Sequence, residues 1–252
     1  MTDYSKICYK RNYLDKVIAR IDFVNPMEDI GKTLPSRVGK AIRPIFPITE
    51  PQKTVHHELI ISPDDKTIDK ETQFTQWMFH GMEREKTLVL NPSFIVASYF
   101  KYDRYDTLKD EFEKIITSIL LHYQDLQPSR LGLRYINTIK IGTAKPLNWK
   151  AYINAKLLSV IDFSSHPERI SRAFHNLEHY FDNYNLRFQF GIHNSDYPQP
   201  IKKREFILDY DAYSNILTDP AEIIPTFDKF HSCIQIFFEQ SITEKLRRHL
   251  NA

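Results

Sequence analysis

The chain has 252 residues, a hydrophobic fraction of 42% and a formal net charge of +2. This length suits one large domain or two closely packed halves, and the near-neutral charge disfavours a dedicated duplex-DNA-binding module. Glycine occurs only 6 times, which argues against nucleotide-binding loops built on clustered glycines. The sequence predicts no cofactor.

The two cysteines and the absence of long apolar stretches point to a cytoplasmic protein. Cys8 and Cys233 give no disulfide framework, which fits a reducing compartment. Residues 1–16 lack the apolar core of a signal peptide, and no stretch of about 18 apolar residues predicts a membrane-spanning helix. We therefore expect no membrane partner.

The first half of the chain predicts several β-strands followed by one long helix. The apolar and β-branched stretch KVIARIDFVN, residues 16–25, predicts the first strand. The proline-rich segment 27–52 predicts part helix and part exposed loop. Apolar residues at three- and four-residue steps predict a helix over 106–123. Between these segments lie three further strand candidates: KTVHHELIIS, QFTQWMFHGM and KTLVLNPSFIVASYF.

The second half repeats this order. RLGLRYINTI, residues 130–139, corresponds to the first strand at an offset of 114, so that Arg134 matches Arg20. The stretch ERISRAFHNLEHYF is ambiguous between helix and strand, and NLRFQFGIHN and KREFILDYDAY predict strands. The C-terminal helix repeats the apolar pattern of the first one at an offset of 118, where Phe230 stands for Phe112.

The repeat predicts an α+β fold made of a duplicated unit, in which an antiparallel β-sheet is backed by a long α-helix. The first half spans residues 1–126 and the second half spans 127–252, packed together as one globular unit. We expect two antiparallel sheets, joined face to face or edge to edge.

The strand that holds Arg134 is the candidate for a binding site. Its alternation places Tyr135 and Asn137 on the more apolar face and Arg134 on the more polar face. A half-buried arginine needs a partner, which Asp22, Asp209 or Asp211 would supply. Two interpretations stay open: an arginine–carboxylate bridge that ties the two halves together, or a cleft between the halves in which Arg134 binds a small anionic ligand. The predicted binding residues are Arg134, Tyr135, Asn137, Asp209, Asp211 and Arg20.

Two alternative chemistries also have candidate residues. His175 and His179 share one face of either a helix or a strand, and Asp209 with Asp211 would form a carboxylate pair on one strand face; both are weak metal-site candidates beside structural explanations. The basic side chains of Arg37, Lys40 and Arg43 form a candidate patch for RNA or single-stranded nucleic acid.

At LRYIN, residues 133–137, the chain resembles a sporadically distributed bacterial family of uncharacterised proteins of about this length. VIARIDFV, QWMF and the phenylalanine-rich C-terminal helix match the recurring features of that family. The resemblance implies a bacterial cytosolic protein, carries over no catalytic residue, and by its patchy distribution suggests a mobile or defence-linked gene pair.

These observations predict a non-enzymatic binding or regulatory protein that acts on a protein partner or on a ligand held between its halves. The alternatives are an RNA-binding protein or nuclease and a metal-dependent hydrolase. A homodimer is left open.

Overall fold

The computed structural model describes residue 4 and residues 7–61, 67–142 and 145–252. The strands within this part of the chain are β1 (Leu14–Phe23), β2 (Ile48–Ile61), β3 (Thr67–His80), β4 (Lys86–Asn91), β5 (Phe94–Tyr99), β6 (Pro128–Lys140), β7 (Ala173–Phe181), β8 (Tyr184–Ile192) and β9 (Glu205–Ser214). The α-helices are α1 (Ser36–Ile42), α2 (Tyr105–His122), α3 (Ala155–Phe163), α4 (Ile223–Ser241) and α5 (Glu244–Leu250). Short 3-10 helices cover Glu28–Gly31, Pro167–Arg169 and Pro220–Glu222.

The strands form one antiparallel sheet in the order β2-β3-β4-β5-β1-β6-β9-β8-β7. Both halves run strand, short helix, antiparallel strands and long helix, so the α+β fold with a duplicated sheet-and-helix unit is confirmed. Of the two predicted ways of joining the sheets, the structure has the edge-to-edge one: β1 pairs with β6, with Ile18 opposite Arg134, and the two sheets become one. Among the described residues, the first half has one more strand than the second.

One face of the sheet is covered by the long helices. Val17, Ala19 and Ile21 of β1 alternate with partly exposed residues and are fully buried, as strand geometry requires. The helices α2 and α4 meet over this face, where the rings of Phe112 and Phe227 lie edge to face at 5.5 Å. Aliphatic and aromatic burial on this face forms the core of the molecule.

The opposite face of the central strands carries charged side chains, which are partly exposed except for the buried Asp209. We call it the open face and define it by Arg20, Asp22, Arg134, Arg187, Asp209 and Asp211, which alternate with core residues along β1, β6, β8 and β9. The two faces of β6 therefore carry chemically different side chains, and the candidate site residues are divided between these faces.

Local details refine the predicted elements. The stretch predicted as KTLVLNPSFIVASYF is two strands, β4 and β5, because Pro92 interrupts the ladder and Ser93 N–H bonds to the side chain of Asn91 at 2.9 Å. The ambiguous stretch at 168–181 contains the edge strand β7. No helix in the described ranges is long and apolar enough to cross a membrane.

Candidate functional site

A cavity of about 470 Å³ lies between the two halves, on the helix-covered side of the sheet. We call it the junction cavity. Its walls come from residues 7–14 near the N-terminus, residues 102–106 at the start of α2, the strands β6 and β9, and the helices α4 and α5. This volume falls in the range of small-molecule pockets. Six tyrosines line it: Tyr9, Tyr13, Tyr102, Tyr105, Tyr135 and Tyr210.

The periodicity of β6 and α4 explains which side chains reach the cavity. Alternation along β6 places Tyr135, Asn137 and Ile139 on its core face. On α4, the cavity is lined at positions 231, 234, 235 and 238, which is the i, i+3, i+4, i+7 pattern of one helix face. One strand face and one helix face thus oppose each other across the cavity.

Hydroxyl groups and an imidazole form a connected network at the cavity wall. The hydroxyl of Tyr135 lies 3.0 Å from the hydroxyl of Tyr102 and 3.2 Å from His231 Nδ1. The His231 ring stacks on Tyr105 at 4.0 Å between centroids, and the Tyr105 hydroxyl donates to Asp228 at 2.9 Å. Burial lowers the pKa of His231 to about 4 and raises the pKa of Tyr135 far above its ordinary value. At neutral pH this network carries no charge on its rings.

The N-terminal segment closes one side of the cavity because it is tied to the C-terminal helices. The Tyr9 hydroxyl donates to Glu239 Oε1 at 2.7 Å, and the Tyr13 hydroxyl lies 2.9 Å from His249 Nε2. The backbone N–H of Arg11 donates to the carbonyl of Leu250 at 3.0 Å. The two ends of the chain therefore build one wall together.

Asn137 offers a hydrogen-bond acceptor at the cavity. Its Nδ2 donates to the carbonyl of Leu208 at 3.2 Å, which fixes the orientation of the amide. The residue is 5% exposed, and its Oδ1 accepts no hydrogen bond from the part of the chain that the structure describes. An amide oxygen that lines a cavity and accepts no hydrogen bond from the protein favours a donor from a bound molecule.

The charged residues of the cavity lie at its mouth. Arg11, Asp103, Arg104 and Asp106 are all exposed and include two residues of each sign. The inner walls consist of aromatic, aliphatic and uncharged polar side chains. Within the described part of the chain, the interior therefore holds no ion that would pair with a charged ligand.

Arg134 lies on the open face and is engaged by Asp209. Its Nε donates to Asp209 Oδ1 at 2.8 Å and its Nη2 to Oδ2 at 2.6 Å, a two-pronged arrangement. Both residues belong to the second half, on β6 and β9, so this bridge does not tie the halves together as one interpretation expected. The third candidate partner, Asp22, binds Arg20 instead.

Asp211 has a different environment from Asp209. In register it stands opposite Arg134 on β6 and Arg187 on β8, yet Arg134 turns to Asp209 and Arg187 donates to Glu178 at 2.7 Å. Among the described residues it accepts no side-chain hydrogen bond, and burial raises its pKa. The carboxylate is thus surrounded by arginines without a direct ion pair.

The six predicted binding residues are divided between the two faces of the sheet. Tyr135 and Asn137 line the junction cavity, whereas Arg20, Arg134, Asp209 and Asp211 lie on the open face. A cleft that joins Arg134 to an anionic ligand between the halves is therefore not what the structure shows, because the guanidinium faces away from the cavity.

Sequence reasoning missed the tyrosines outside the predicted elements. Tyr9 and Tyr13 stand in CYKRNY, and Tyr102 and Tyr105 stand in KYDRYD. Both pairs stand among charged residues in segments predicted to connect the main elements. There the sequence predicts no hydrophobic core that would bury large aromatic rings. This was the available signal for a tyrosine-lined site.

The weak metal candidates are packed against aromatic rings. His175 and His179 lie on β7, where His175 contacts Phe190 at 5.1 Å and His179 contacts Phe237 at 4.9 Å between ring centroids. Among the side chains that the structure describes, no group of three or more His, Cys, Asp or Glu is placed to hold a metal ion.

The predicted nucleic-acid patch lies at α1. Arg37, Lys40 and Arg43 are exposed there, on the helix-covered side of the sheet rather than on the open face. The helix α1 packs against α2.

Comparison with known proteins leaves the family open. No family model matches the chain, and no curated protein matches it. Among solved structures, TBP from Methanococcus jannaschii is similar over 90% of this chain and 99% of that one, with 9% identity and a TM-score of 0.28. A likeness at this level carries no argument about function, and the resemblance at LRYIN stays a prediction.

Proposed function

We propose that this chain is a binding protein that holds a small molecule in the junction cavity and transmits its presence as a regulatory signal. The observation that carries the proposal is the tyrosine-lined cavity of about 470 Å³, whose walls are drawn from both halves and both chain ends. A ligand there would contact separate segments of both halves at once. Filling the cavity would therefore stabilise the arrangement of the halves.

Binding, rather than catalysis, is favoured by how the polar groups are used. The hydroxyls of Tyr9, Tyr13 and Tyr105 each bond to a protein side chain outside the cavity. Such groups fix the walls and are not held ready for proton transfer to a substrate. We extend the proposal to a bacterial, cytoplasmic protein from a mobile or defence-linked gene pair, and this extension is supported by the resemblance at LRYIN.

The experiment is native mass spectrometry of the chain purified from its own cells, followed by identification of any molecule released on denaturation. Gln235→Trp places a large ring at the cavity wall and is expected to abolish retention of the molecule. Gln235→Leu is the matched control, because it loses the same 3.2 Å hydrogen bond to Glu239 without adding volume. Retention by the Trp variant at the level of the Leu variant would count against the cavity as the site.

Nucleic-acid binding is a second candidate because Arg37, Lys40 and Arg43 are exposed together at α1. The arginines of the open face give it no further support, since Arg134 and Arg187 are both engaged by carboxylates. Electrophoretic mobility shifts at low salt with RNA and single-stranded DNA test it. The candidate is rejected if replacing all three basic residues by glutamine leaves any observed shift unchanged.

A metal-dependent hydrolase has less support. Both oxygens of Asp209 accept from Arg134, so the predicted Asp209–Asp211 pair lacks an available first ligand. His175 and His179 lie on β7 and pack against the rings of Phe190 and Phe237.

A further inference from the structure

The walls of the junction cavity narrow the class of molecule that it holds. We infer that the ligand is an uncharged aromatic heterocycle that donates an N–H hydrogen bond to the side chain of Asn137. This inference rests on the proposed function, because it presupposes that the cavity binds a small molecule.

The absence of charge follows from the position of the ionic residues. Within the described part of the chain, the charged residues that line the cavity are Arg11, Asp103, Arg104 and Asp106, and all are exposed. An ion buried beneath them would lie among aromatic and aliphatic side chains without a partner of opposite charge. Burying an unpaired charge in such surroundings is strongly unfavourable, so a neutral molecule is favoured.

The aromatic character follows from the rings along the walls. Six tyrosines, Phe238 and the imidazole of His231 line the cavity. The Tyr105–His231 pair is already stacked, with an angle of 5° between the ring planes, and Tyr102 and Tyr135 meet edge to face at 5.5 Å. A flat aromatic ligand can stack on these rings or meet their edges, and such contacts contribute binding free energy beyond that of the buried area.

The hydrogen-bond donor follows from Asn137. One of its two Nδ2 hydrogens is donated to the carbonyl of Leu208, and its Oδ1 accepts no hydrogen bond in the described part of the chain, so this oxygen is an acceptor that a ligand can satisfy. This oxygen belongs to a residue that is 95% buried, and a ligand that covers it without donating would leave it unsatisfied. A heterocycle with an N–H group satisfies it, whereas the same ring system without that group does not.

The test compares indole with benzofuran, which has the same two-ring shape but carries oxygen in place of the N–H. Saturation-transfer NMR with competition on the unaltered chain measures both affinities. Indole is expected to bind about tenfold more tightly than benzofuran, because benzofuran leaves the Asn137 oxygen unpaired. This comparison does not depend on the folding of any variant.

Variants assign the preference to one atom. Asn137→Leu is expected to remove the difference between the two probes, and Asn185→Leu, on the opposite face of the sheet, is expected to retain it. Equal affinities for indole and benzofuran on the unaltered chain would overturn the inference, and so would tighter binding of indole-3-carboxylate than of indole.

The outcomes for the two proposals are separable. A native ligand that is released from the cavity and proves to be aliphatic or charged would overturn the heterocycle assignment and leave the binding function standing. A chain that releases no molecule and binds neither probe would overturn both.

Discussion

Glu239 is the residue whose replacement most directly tests how the cavity wall is held. Its side chain has 0% exposure and accepts from Arg247 Nε at 2.7 Å, from the Tyr9 hydroxyl at 2.7 Å and from Gln235 Nε2 at 3.2 Å. One buried carboxylate thus joins α4, α5 and the N-terminal segment. We predict that Glu239→Gln destabilises the fold and loosens that segment.

The magnitude follows from the charge that is left behind. Removing one partner of a buried ion pair costs roughly 3–5 kcal/mol when the other charge stays buried. The Arg247 side chain is 27% exposed, so water partly compensates it, and we expect a loss of about 2–3 kcal/mol in the free energy of unfolding. In urea denaturation this lowers the midpoint by about 1 M.

Glu244→Gln is the matched control. Glu244 lies 3.6 Å from the same guanidinium, but its side chain is 70% exposed. Removing its charge is expected to cost less than about 0.5 kcal/mol, because water screens exposed pairs. The reasoning is refuted if the two variants have the same urea midpoint, since burial of Glu239 would then contribute nothing.

Three further changes test the environments described above. Burial lowers the pKa of His231 from 6.5 to about 4, so the unfolded chain takes up a proton at a higher pH than the folded chain. The free energy of unfolding should therefore fall by about 3 kcal/mol as the pH is lowered from 6.5 to 4. His231→Phe should flatten this dependence in urea midpoints measured from pH 4 to 7. Asp209→Asn should lower the free energy of unfolding by about 1–2 kcal/mol because it leaves Arg134 unpaired, whereas Asp211→Asn should leave it unchanged or raise it, since burial disfavours the charged form of Asp211; equal losses would contradict this. Ser214→Ala should be neutral or stabilising by up to about 1 kcal/mol in thermal unfolding, because the buried Oγ has no hydrogen-bond partner in the described part of the chain; a clear loss would show a contact that the structure lacks.

The division of the predicted binding residues shows where sequence reasoning stops. Alternation along β6 correctly places Tyr135 and Asn137 on one face and Arg134 on the other, because the direction of a side chain in a strand depends only on its position along the strand. Arg134 stands opposite Asp211 in register but bonds to Asp209, two residues away on β9. The choice between two carboxylates depends on rotamers and on neighbouring arginines, which a single sequence does not specify.

The junction cavity is the second feature beyond the reach of the sequence. Its walls combine Tyr9, Tyr102, Tyr135 and His231, which are separated by up to 222 positions in the chain. The rings meet only because β1 pairs with β6 and the N-terminal segment bonds to the C-terminal helices. No local pattern encodes contacts at that separation.

The sequence by itself determined the fold class, the repeat of strands and long helix, and which residues share a face of each element. These follow from periods of 2 and 3.6 residues, which depend on neighbours along the chain. Only the tertiary structure decided that the halves share one sheet, that Asp209 neutralises Arg134, and that tyrosines from both halves line a cavity. These depend on packing between distant segments, where many pairings satisfy the same local patterns.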